Sequence, residues 1–257
     1  MSEAQDEHRE PLRELLSRAG QEALRRRGSL RIETKADTTR VTDADRAVEA
    51  LLRGGLVELF PRDGVVGEEG TRVEGEATWY IDPIDGTNAY IEGLAYWGST
   101  LARVVEGRLV LGATWFPRLD ELWFADTEGA WCERRRLQPL ASGGLDRRSV
   151  VYVPSRFHRW FDLDFAGRVR SLGSTSAHLA LVAGGSARAC FVPAGWAAWD
   201  AFAGFALLSR VGGELLDLEG RKLDPLNEVG TPFVAGAPGA TEDLVRRIAF
   251  RARDSRR

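Results

Sequence analysis

The chain has 257 residues, of which 44% are hydrophobic and 28% are charged. These values are typical of a globular protein with an ample core, and they exclude the disordered, collagen-like and disulfide-rich classes. The net charge of −3 argues against a broad basic surface for nucleic-acid polymers. Two cysteines without a Cys-x-x-Cys spacing, and charges throughout the first 30 residues, favour a cytoplasmic protein without a secretion signal.

The first half of the chain is predicted to form two helices followed by a mostly antiparallel sheet. Apolar residues recur on one helical face over residues 10–27. A second helix begins at Thr42, where the sequence resembles a capping box, and ends before Pro61. The predicted strands are the apolar runs at residues 64–67, 78–84, 97–105, 108–116 and 121–125.

In the second half, strands and helices alternate after a polar segment at residues 138–148. The predicted strands are at residues 149–153, 168–172, 187–192, 214–217 and 232–235. The predicted helices are at residues 175–183, 199–211 and 241–252. We therefore expect an α/β protein of alternating helix and sheet layers, with an N-terminal α+β subdomain at residues 1–140 and a C-terminal α/β subdomain at residues 141–257.

One apolar stretch, residues 189–210, could be mistaken for a membrane span. Before the final arginine its only charged residue is Asp200, which a membrane helix would have to bury. Pro193 and two glycines also interrupt the stretch. We expect a strand, a loop and a buried helix here, and no contact with a membrane.

The segment Trp-Tyr-Ile-Asp-Pro-Ile-Asp-Gly-Thr, which ends at Thr87, brings two acids to the end of an apolar strand. Pro83 keeps Asp82 out of helical geometry, so Asp82 and Asp85 both belong at the carboxyl end of the strand. Gly86 and Thr87 can open a helix or a tight turn, whose free N–H groups attract phosphate. An ordinary Asp-rich turn is the alternative interpretation.

Acids elsewhere in the chain weigh against that alternative. Glu68 and Glu69 follow the strand at residues 64–67, and they repel one another unless a cation or solvent separates them. Asp200 lies in an apolar setting, where an unpaired carboxylate is costly. The three histidines do not have a zinc-type spacing. Hard oxygen ligands without histidine or thiolate select Mg²⁺, which keeps several waters and bridges to substrate phosphate.

These motifs resemble the signatures of the inositol monophosphatase superfamily of Mg²⁺-dependent, Li⁺-sensitive phosphatases, which includes histidinol-phosphatase-like members. The resemblance rests on the Asp-Pro-Ile-Asp-Gly-Thr core, on Trp-Asp at Asp200 followed by Gly-Gly at Gly213, on Gly-Glu-Glu at residues 67–69 and on Val-Thr-Asp-Ala-Asp ending at Asp45. It covers nearly the whole chain. It implies the layered fold of inositol monophosphatase and fructose-1,6-bisphosphatase, a homodimer, and hydrolysis of a small phosphorylated metabolite by metal-activated water.

The resemblance also implies a set of metal ligands. A first Mg²⁺ would be held by Glu68, Asp82 and the carbonyl of Ile84. A second would be held by Asp82, Asp85 and Asp200, and Glu68 would also face a weaker third ion. The expected cofactor is therefore two to three Mg²⁺ ions.

The resemblance implies that the catalytic residues are Asp45, Thr87 and Glu68, with Asp45 and Thr87 orienting and deprotonating a metal-bound water. The N–H groups of Gly86 and Thr87 would receive the phosphate. The implied substrate-binding residues are Asp85, Gly86, Thr87, Asn88 and Asp200. Asp45 also occupies the fourth position of the capping box, so a helix cap is its alternative role, and Thr87 can likewise cap the following helix. His178 and Ser174 are expected to pack and cap rather than to touch substrate.

Three positions depart from the family pattern. Inositol-cleaving members carry a glutamate where this chain has Pro193, and a small residue where it has Phe202. Asn88 stands where histidinol-phosphate phosphatases have arginine. Inositol monophosphate and histidinol phosphate both remain candidate substrates. The alternatives are 3′-phosphoadenosine 5′-phosphate, fructose bisphosphate, or a catalytically silent sensor that binds Mg²⁺ and a phosphorylated ligand. Neither cysteine begins a Cys-x5-Arg phosphate loop, which excludes a thiol mechanism.

Overall fold

The computed structural model describes residues 8–34 and 40–251. The helices of these ranges are α1 (Arg9–Arg26), α2 (Asp43–Leu59), α3 (Thr87–Glu92), α4 (Thr175–Ala183), α5 (Ala198–Arg210) and α6 (Ala240–Arg247). The strands that precede residue 140 are β1 (Ile32–Thr34), β2 (Arg40–Thr42), β3 (Gly64–Gly67), β4 (Arg72–Val73), β5 (Ala77–Asp85), β6 (Gly98–Val105), β7 (Arg108–Phe116), β8 (Glu121–Ala125), β9 (Ala130–Cys132) and β10 (Arg135–Arg136). The later strands are β11 (Val150–Tyr152), β12 (Phe161–Leu163), β13 (Arg168–Arg170), β14 (Ala189–Val192), β15 (Glu214–Asp217), β16 (Phe233–Gly236) and β17 (Ile248–Phe250).

Two large sheets organise the described residues. The larger sheet has the order β10-β9-β8-β7-β6-β5-β3-β4 and is antiparallel except for the β3–β5 pair. The second sheet has the order β13-β11-β14-β16-β15, with β11 parallel to both of its neighbours and the remaining pairs antiparallel. Two small antiparallel pairs, β1–β2 and β12–β17, lie outside these sheets.

Helices and sheets alternate in five layers. α1 and α2 pack on one face of the larger sheet, where Val48 of α2 and Trp79 of β5 share an apolar cluster. α4 and α5 lie between the two sheets, and α6 covers the outer face of the second sheet. β14 shows the alternation directly, because Cys190 faces the helices between the sheets and Phe191 faces α6. The predicted layered α/β fold is confirmed.

Most predicted elements agree closely with the structure. α4 and β15 have the predicted bounds, and α1 and α5 differ from theirs by one residue at each end. All strands of the larger sheet precede residue 137, and all strands of the second sheet follow residue 149. The predicted subdomain boundary near residue 140 falls between them. It stays a prediction, since α5 packs on strands of both sheets.

The prediction for the last helix is wrong. α6 ends at Arg247, and β17 follows in place of the expected helical turns up to residue 250, while residues 252 onwards lie outside the described ranges. β17 pairs with β12, a strand that the sequence did not indicate. Phe161 of β12 packs against both Phe191 and Phe250. The pairing of β17 with β12 overrides the local helical pattern at the end of the chain. Neither strand could be recognised in the sequence, because three residues are too few to show a strand period.

In the described ranges, none of the helices combines the length and the apolar character that crossing a bilayer requires.

The close approach of α4 and α5 is tested at Gly204. A Cβ at this position would lie 2.4 Å from Leu179 Cβ, so Gly204→Ala overpacks the contact and should cost about 1–3 kcal/mol of stability. Gly54 in α2 has no atom within 4 Å of an added Cβ, so Gly54→Ala should gain about 0.5–1 kcal/mol. Urea unfolding of both variants measures the two effects. Unchanged or increased stability of Gly204→Ala would contradict the close packing at Gly204.

Candidate active site

The end of β5 brings two acids into the protein interior. Asp82 is 2% exposed and Asp85 is 6% exposed. The pairing of β5 with β6 becomes irregular between these two acids, where Pro83 has no N–H to donate. The N–H of Ile84 donates to Asp82 Oδ1 at 2.9 Å. Both acids therefore lie at the carboxyl end of the strand, as predicted.

Gly86 turns the chain from β5 into α3. Its φ of +85° is in the left-handed region, and an added Cβ would lie 3.0 Å from the carbonyl oxygen of Gly173. Gly86 itself is the residue that precedes the helix, so the alternative role of Thr87 as the cap is wrong. The Thr87 hydroxyl instead donates to the Ile84 carbonyl at 3.3 Å, and it lies 3.5 Å from Asp45 Oδ1.

Asp45 uses its two carboxylate oxygens differently. Oδ2 accepts from the N–H of Thr42 at 2.8 Å and from the Thr42 hydroxyl at 2.6 Å, which confirms the helix cap. Oδ1 faces Thr87. Burial raises the pKa of Asp45 to about 6, against the lowering effect of the Thr42 hydrogen bonds. The same residue thus caps α2 and presents one oxygen toward the end of β5.

Glu68 follows β3, and its N–H donates to the carbonyl of Ile81 at 3.2 Å. The turn that carries it is held by Glu49 of α2, a buried acid that the sequence analysis missed. Glu49 accepts from the N–H of Glu69 at 2.7 Å and from the N–H of Thr71 at 2.9 Å. Its position one turn after Asp45, on the buried side of α2, was the signal that could have revealed it.

Asp200 is the third residue of α5. Its Oδ2 accepts from the N–H of Ala197, just before the helix, at 2.6 Å. The Thr100 hydroxyl of β6 donates to the carbonyl of Trp199 at 2.9 Å. These contacts fix the first turn of α5 against the larger sheet, and with it the acid predicted from the apolar stretch.

Asp85 is bound by the first turn of α4. The hydroxyls of Ser174 and Ser176 both donate to Asp85 Oδ2, and so does the N–H of Ser176 at 2.8 Å. Ser174 also accepts from the N–H of Ala177 at 3.0 Å, so its predicted capping role is confirmed. The contact with Asp85 was not predicted, because nothing in the sequence relates residues 174–176 to β5.

His178 holds the loop before α4 in place. Its Nε2 accepts from the N–H of Leu172 at 3.0 Å, and its ring stacks on Tyr152 with centroids 5.1 Å apart. Burial lowers the pKa of His178 to about 4, so the imidazole is neutral and can accept this hydrogen bond at neutral pH. The predicted packing role of His178 is consistent with these contacts.

Negative charge is concentrated around Asp82. The pKa of Asp82 is raised well above its ordinary value, first by burial and then by the charges of Glu68, Asp85, Asp200 and Asp45. The negative charges of four acids, each from a different element or turn, therefore disfavour ionisation of one buried carboxylate.

The acids around Asp82 offer oxygen donors to a cation. As the side chains stand, no three Asp, Glu, His or Cys residues within residues 8–34 and 40–251 form a group that could hold an ion. Both oxygens of Asp85 and one of Asp200 accept backbone N–H groups instead. Carboxylate and carbonyl oxygens with concentrated negative charge fit a hard divalent cation. The complete ligand shells implied by the resemblance stay a prediction.

Two adjoining cavities open beside these residues. The smaller, of about 140 Å³, lies against Asp85 and is also lined by Pro154, Phe191, Val192 and Pro193. The departure at Pro193 is therefore part of the site.

The larger cavity, of about 300 Å³, contains Asn88 together with Arg40, Glu92 and Arg156. Ser155 and Gly173 line both cavities. Asn88 thus lines the larger cavity, whereas Asp85 lines the smaller one.

The departure at Phe202 has a different location. Its side chain is buried in the core between the two sheets, with its ring 5.2 Å from that of Tyr80. It therefore affects the packing of α5 against β5.

Comparison with known proteins identifies the family. The sequence model of the inositol monophosphatase family matches residues 4–250. The chain belongs to this family. A histidinol-phosphatase from Chlorobaculum parvum is 36% identical over 207 residues, which cover 76% of this chain and 79% of that protein. An inositol-1-monophosphatase from Rhizobium meliloti is 30% identical over 226 residues, which cover 81% of this chain and 80% of that protein.

The solved structures include relatives with the same fold. An IMPase from Thermotoga maritima superposes with a TM-score of 0.82 at 25% identity, covering 91% of this chain and 93% of that one. Together with the sequence relatives, this confirms the predicted inositol monophosphatase-like fold. The predicted enzyme class is also confirmed: the protein is a phosphatase, a phosphoric monoester hydrolase.

Asp45→Asn should change the pH dependence of stability in the metal-free protein. Because burial raises the pKa of Asp45 to about 6, the folded protein keeps a proton that the unfolded chain releases near pH 4. Relative to the variant, the parent should lose roughly 3 kcal/mol as pH rises from about 4 to 6, with no further change above. Urea unfolding with EDTA measures this. Parallel curves for parent and variant over that range would contradict the raised pKa.

Proposed function

We propose that the protein is a Mg²⁺-dependent phosphomonoesterase that hydrolyses a small phosphorylated metabolite in the cytoplasm, as a Li⁺-sensitive homodimer. The observation that carries the metal dependence is Asp82, a buried carboxylate whose pKa is raised first by its burial and then by the charges of four surrounding acids. A divalent cation among these acids would offset their repulsion and their burial. Membership of a phosphatase family supports the same conclusion.

The proposed ligands are Glu68, Asp82, the carbonyl of Ile84, Asp85 and Asp200. Bound Mg²⁺, as two to three ions, supplies charge neutralisation at the phosphate and a water of lowered pKa. The other tasks of the reaction are assigned to residues of the chain itself.

Asp45 and Thr87 are proposed to handle the attacking water. The Thr87 hydroxyl and Asp45 Oδ1 face one another at the end of β5, and together they orient the water. Asp45 Oδ1 then takes its proton. With burial raising the pKa of Asp45 to about 6, this carboxylate is still mostly ionised at neutral pH and is a stronger base than an ordinary aspartate.

The phosphate is proposed to lie at the turn between β5 and α3. The N–H groups of Gly86 and Thr87 are at this turn, where the chain has left the strand and the helical hydrogen bonds have not yet begun. Asp85 and Asp200 are the proposed contacts on the other side of the substrate, and Asn88 reaches its outer part.

The small cavity beside Asp85 favours a leaving group with an apolar or aromatic face. Its lining combines polar side chains, among them Ser155, Ser174, Thr175 and His178, with the apolar side chains of Pro154, Phe191, Val192 and Pro193. The apolar side chains offer no hydrogen bonds to a ring of hydroxyls, whereas they can pack against the face of an imidazole ring. Histidinol phosphate is therefore the proposed substrate, in keeping with the relative that is 36% identical. Inositol monophosphate is the second candidate, in keeping with the relative that is 30% identical.

A substrate panel tests this proposal. Phosphate release from histidinol phosphate should exceed that from inositol 1-phosphate by at least about tenfold in kcat/KM. Fructose 1,6-bisphosphate and 3′-phosphoadenosine 5′-phosphate complete the panel, and EDTA should abolish all turnover. Li⁺ should inhibit the reaction when added to the Mg²⁺-loaded enzyme. Binding of these compounds without any turnover would indicate a catalytically silent sensor.

Removing the charge of one proposed ligand should strongly lower turnover without unfolding the protein. Asp85→Asn and Asp200→Asn should each lower kcat by roughly 10²-fold or more, because phosphate hydrolysis depends on charge neutralisation at the site. Asp217→Asn is the matched control, since Asp217 is buried on β15, at the edge of the second sheet. Near-parental activity in Asp85→Asn or Asp200→Asn would contradict the proposed second metal site. Circular dichroism checks that each variant is folded.

A further inference from the structure

Asp85 connects the larger sheet to the helix layer between the sheets. It ends β5, yet every hydrogen bond recorded for its carboxylate comes from the first turn of α4 and the serine before it. Asp85 is separated from Ser176 by 91 residues in sequence. The orientation of this acid is therefore set by α4.

The two oxygens of Asp85 are used unequally. Oδ2 accepts from three donors, namely the Ser174 hydroxyl, the Ser176 hydroxyl and the Ser176 N–H. Oδ1 receives one long hydrogen bond, from the N–H of Thr175 at 3.3 Å. A carboxylate oxygen has about two lone-pair sites, so Oδ2 is saturated. Oδ1 is the oxygen with remaining capacity for another ligand.

The hydroxyl of Ser176 is not needed to cap α4. Ser174 already caps the helix by accepting from the N–H of Ala177. Ser176 is 0% exposed, and a buried alanine would favour the helix more than serine does. Its hydroxyl lies 2.5 Å from Asp85 Oδ2, with the Ser174 hydroxyl 3.3 Å away. Compared with alanine, a serine at this position therefore contributes one thing, the hydrogen bond to Asp85.

The donors themselves are held rigidly. The loop before α4 is fixed by the hydrogen bond from the N–H of Leu172 to His178 Nε2, and His178 is stacked on Tyr152. Gly173, between this contact and Ser174, packs against Gly86 at the turn into α3. Because these contacts hold the donors in place, the donors favour a single orientation of the Asp85 carboxylate.

We propose that Ser176 is a positioning residue, which with Ser174 saturates Asp85 Oδ2 and so presents Oδ1 to a divalent cation. This inference rests on the proposed function, in which Asp85 is a metal ligand. Ser176 itself contacts neither the cation nor the substrate. Its effect is to lower the reorganisation that Asp85 undergoes when a cation binds.

Mn²⁺ binding to the substrate-free protein tests the proposal. Ser176→Ala should weaken Mn²⁺ affinity, measured by electron paramagnetic resonance of free Mn²⁺, by roughly tenfold or more. Ser149→Ala is the matched control, because the Ser149 hydroxyl is also buried and also donates to an aspartate, Asp146, at 2.8 Å. The control should bind Mn²⁺ with parental affinity. Both variants are compared well below their unfolding temperatures.

The Mg²⁺ dependence of turnover provides a second measurement. In Ser176→Ala the half-saturating Mg²⁺ concentration should rise by about tenfold, while kcat at saturating Mg²⁺ stays within about twofold of the parent. Equal Mn²⁺ affinity in parent and Ser176→Ala would overturn the positioning role. A parent that neither binds Mn²⁺ nor releases phosphate would instead overturn the proposed function. A fall in kcat with unchanged metal affinity would also contradict the proposal.

Discussion

Repulsion among buried carboxylates is the constraint on which the site depends. Asp82 is buried at the end of β5, and acids from α2, β5 itself, α5 and the turn after β3 raise its pKa further. Placing like charges together in the interior costs free energy. Such an arrangement is typical of a site that is completed by a ligand of opposite charge.

The fold meets this constraint by anchoring the acids to different elements. Asp45 caps α2, Asp85 accepts from the first turn of α4, and Asp200 accepts from the residue before α5. Helix N-termini carry unsatisfied N–H groups and a partial positive charge, so they stabilise carboxylates that repel one another. Each acid therefore has a structural partner of its own as well as a place near Asp82.

The sequence was sufficient for the parts of the structure that follow local rules. Strand β5 with its terminal acids, the capping box at Thr42 and the bounds of α4 all depend on neighbouring residues, and they were predicted correctly. The contacts missed were long-range. Nothing local relates Ser176 to Asp85 or β12 to β17, since these partners are brought together only by the packing of whole layers.

The position of α4 and α5 between the two sheets has a consequence for how the protein gains its activity. Asp200 comes from this central layer, and Asp85 is held by it, whereas Asp45 and Glu68 come from elements on or beside the larger sheet. A nascent chain that has completed only its first sheet thus contains Asp45, Glu68, Asp82 and Asp85, but it has neither Asp200 nor the α4 donors that orient Asp85. The acids therefore reach their final arrangement only after the C-terminal half has been synthesised and packed against the first sheet.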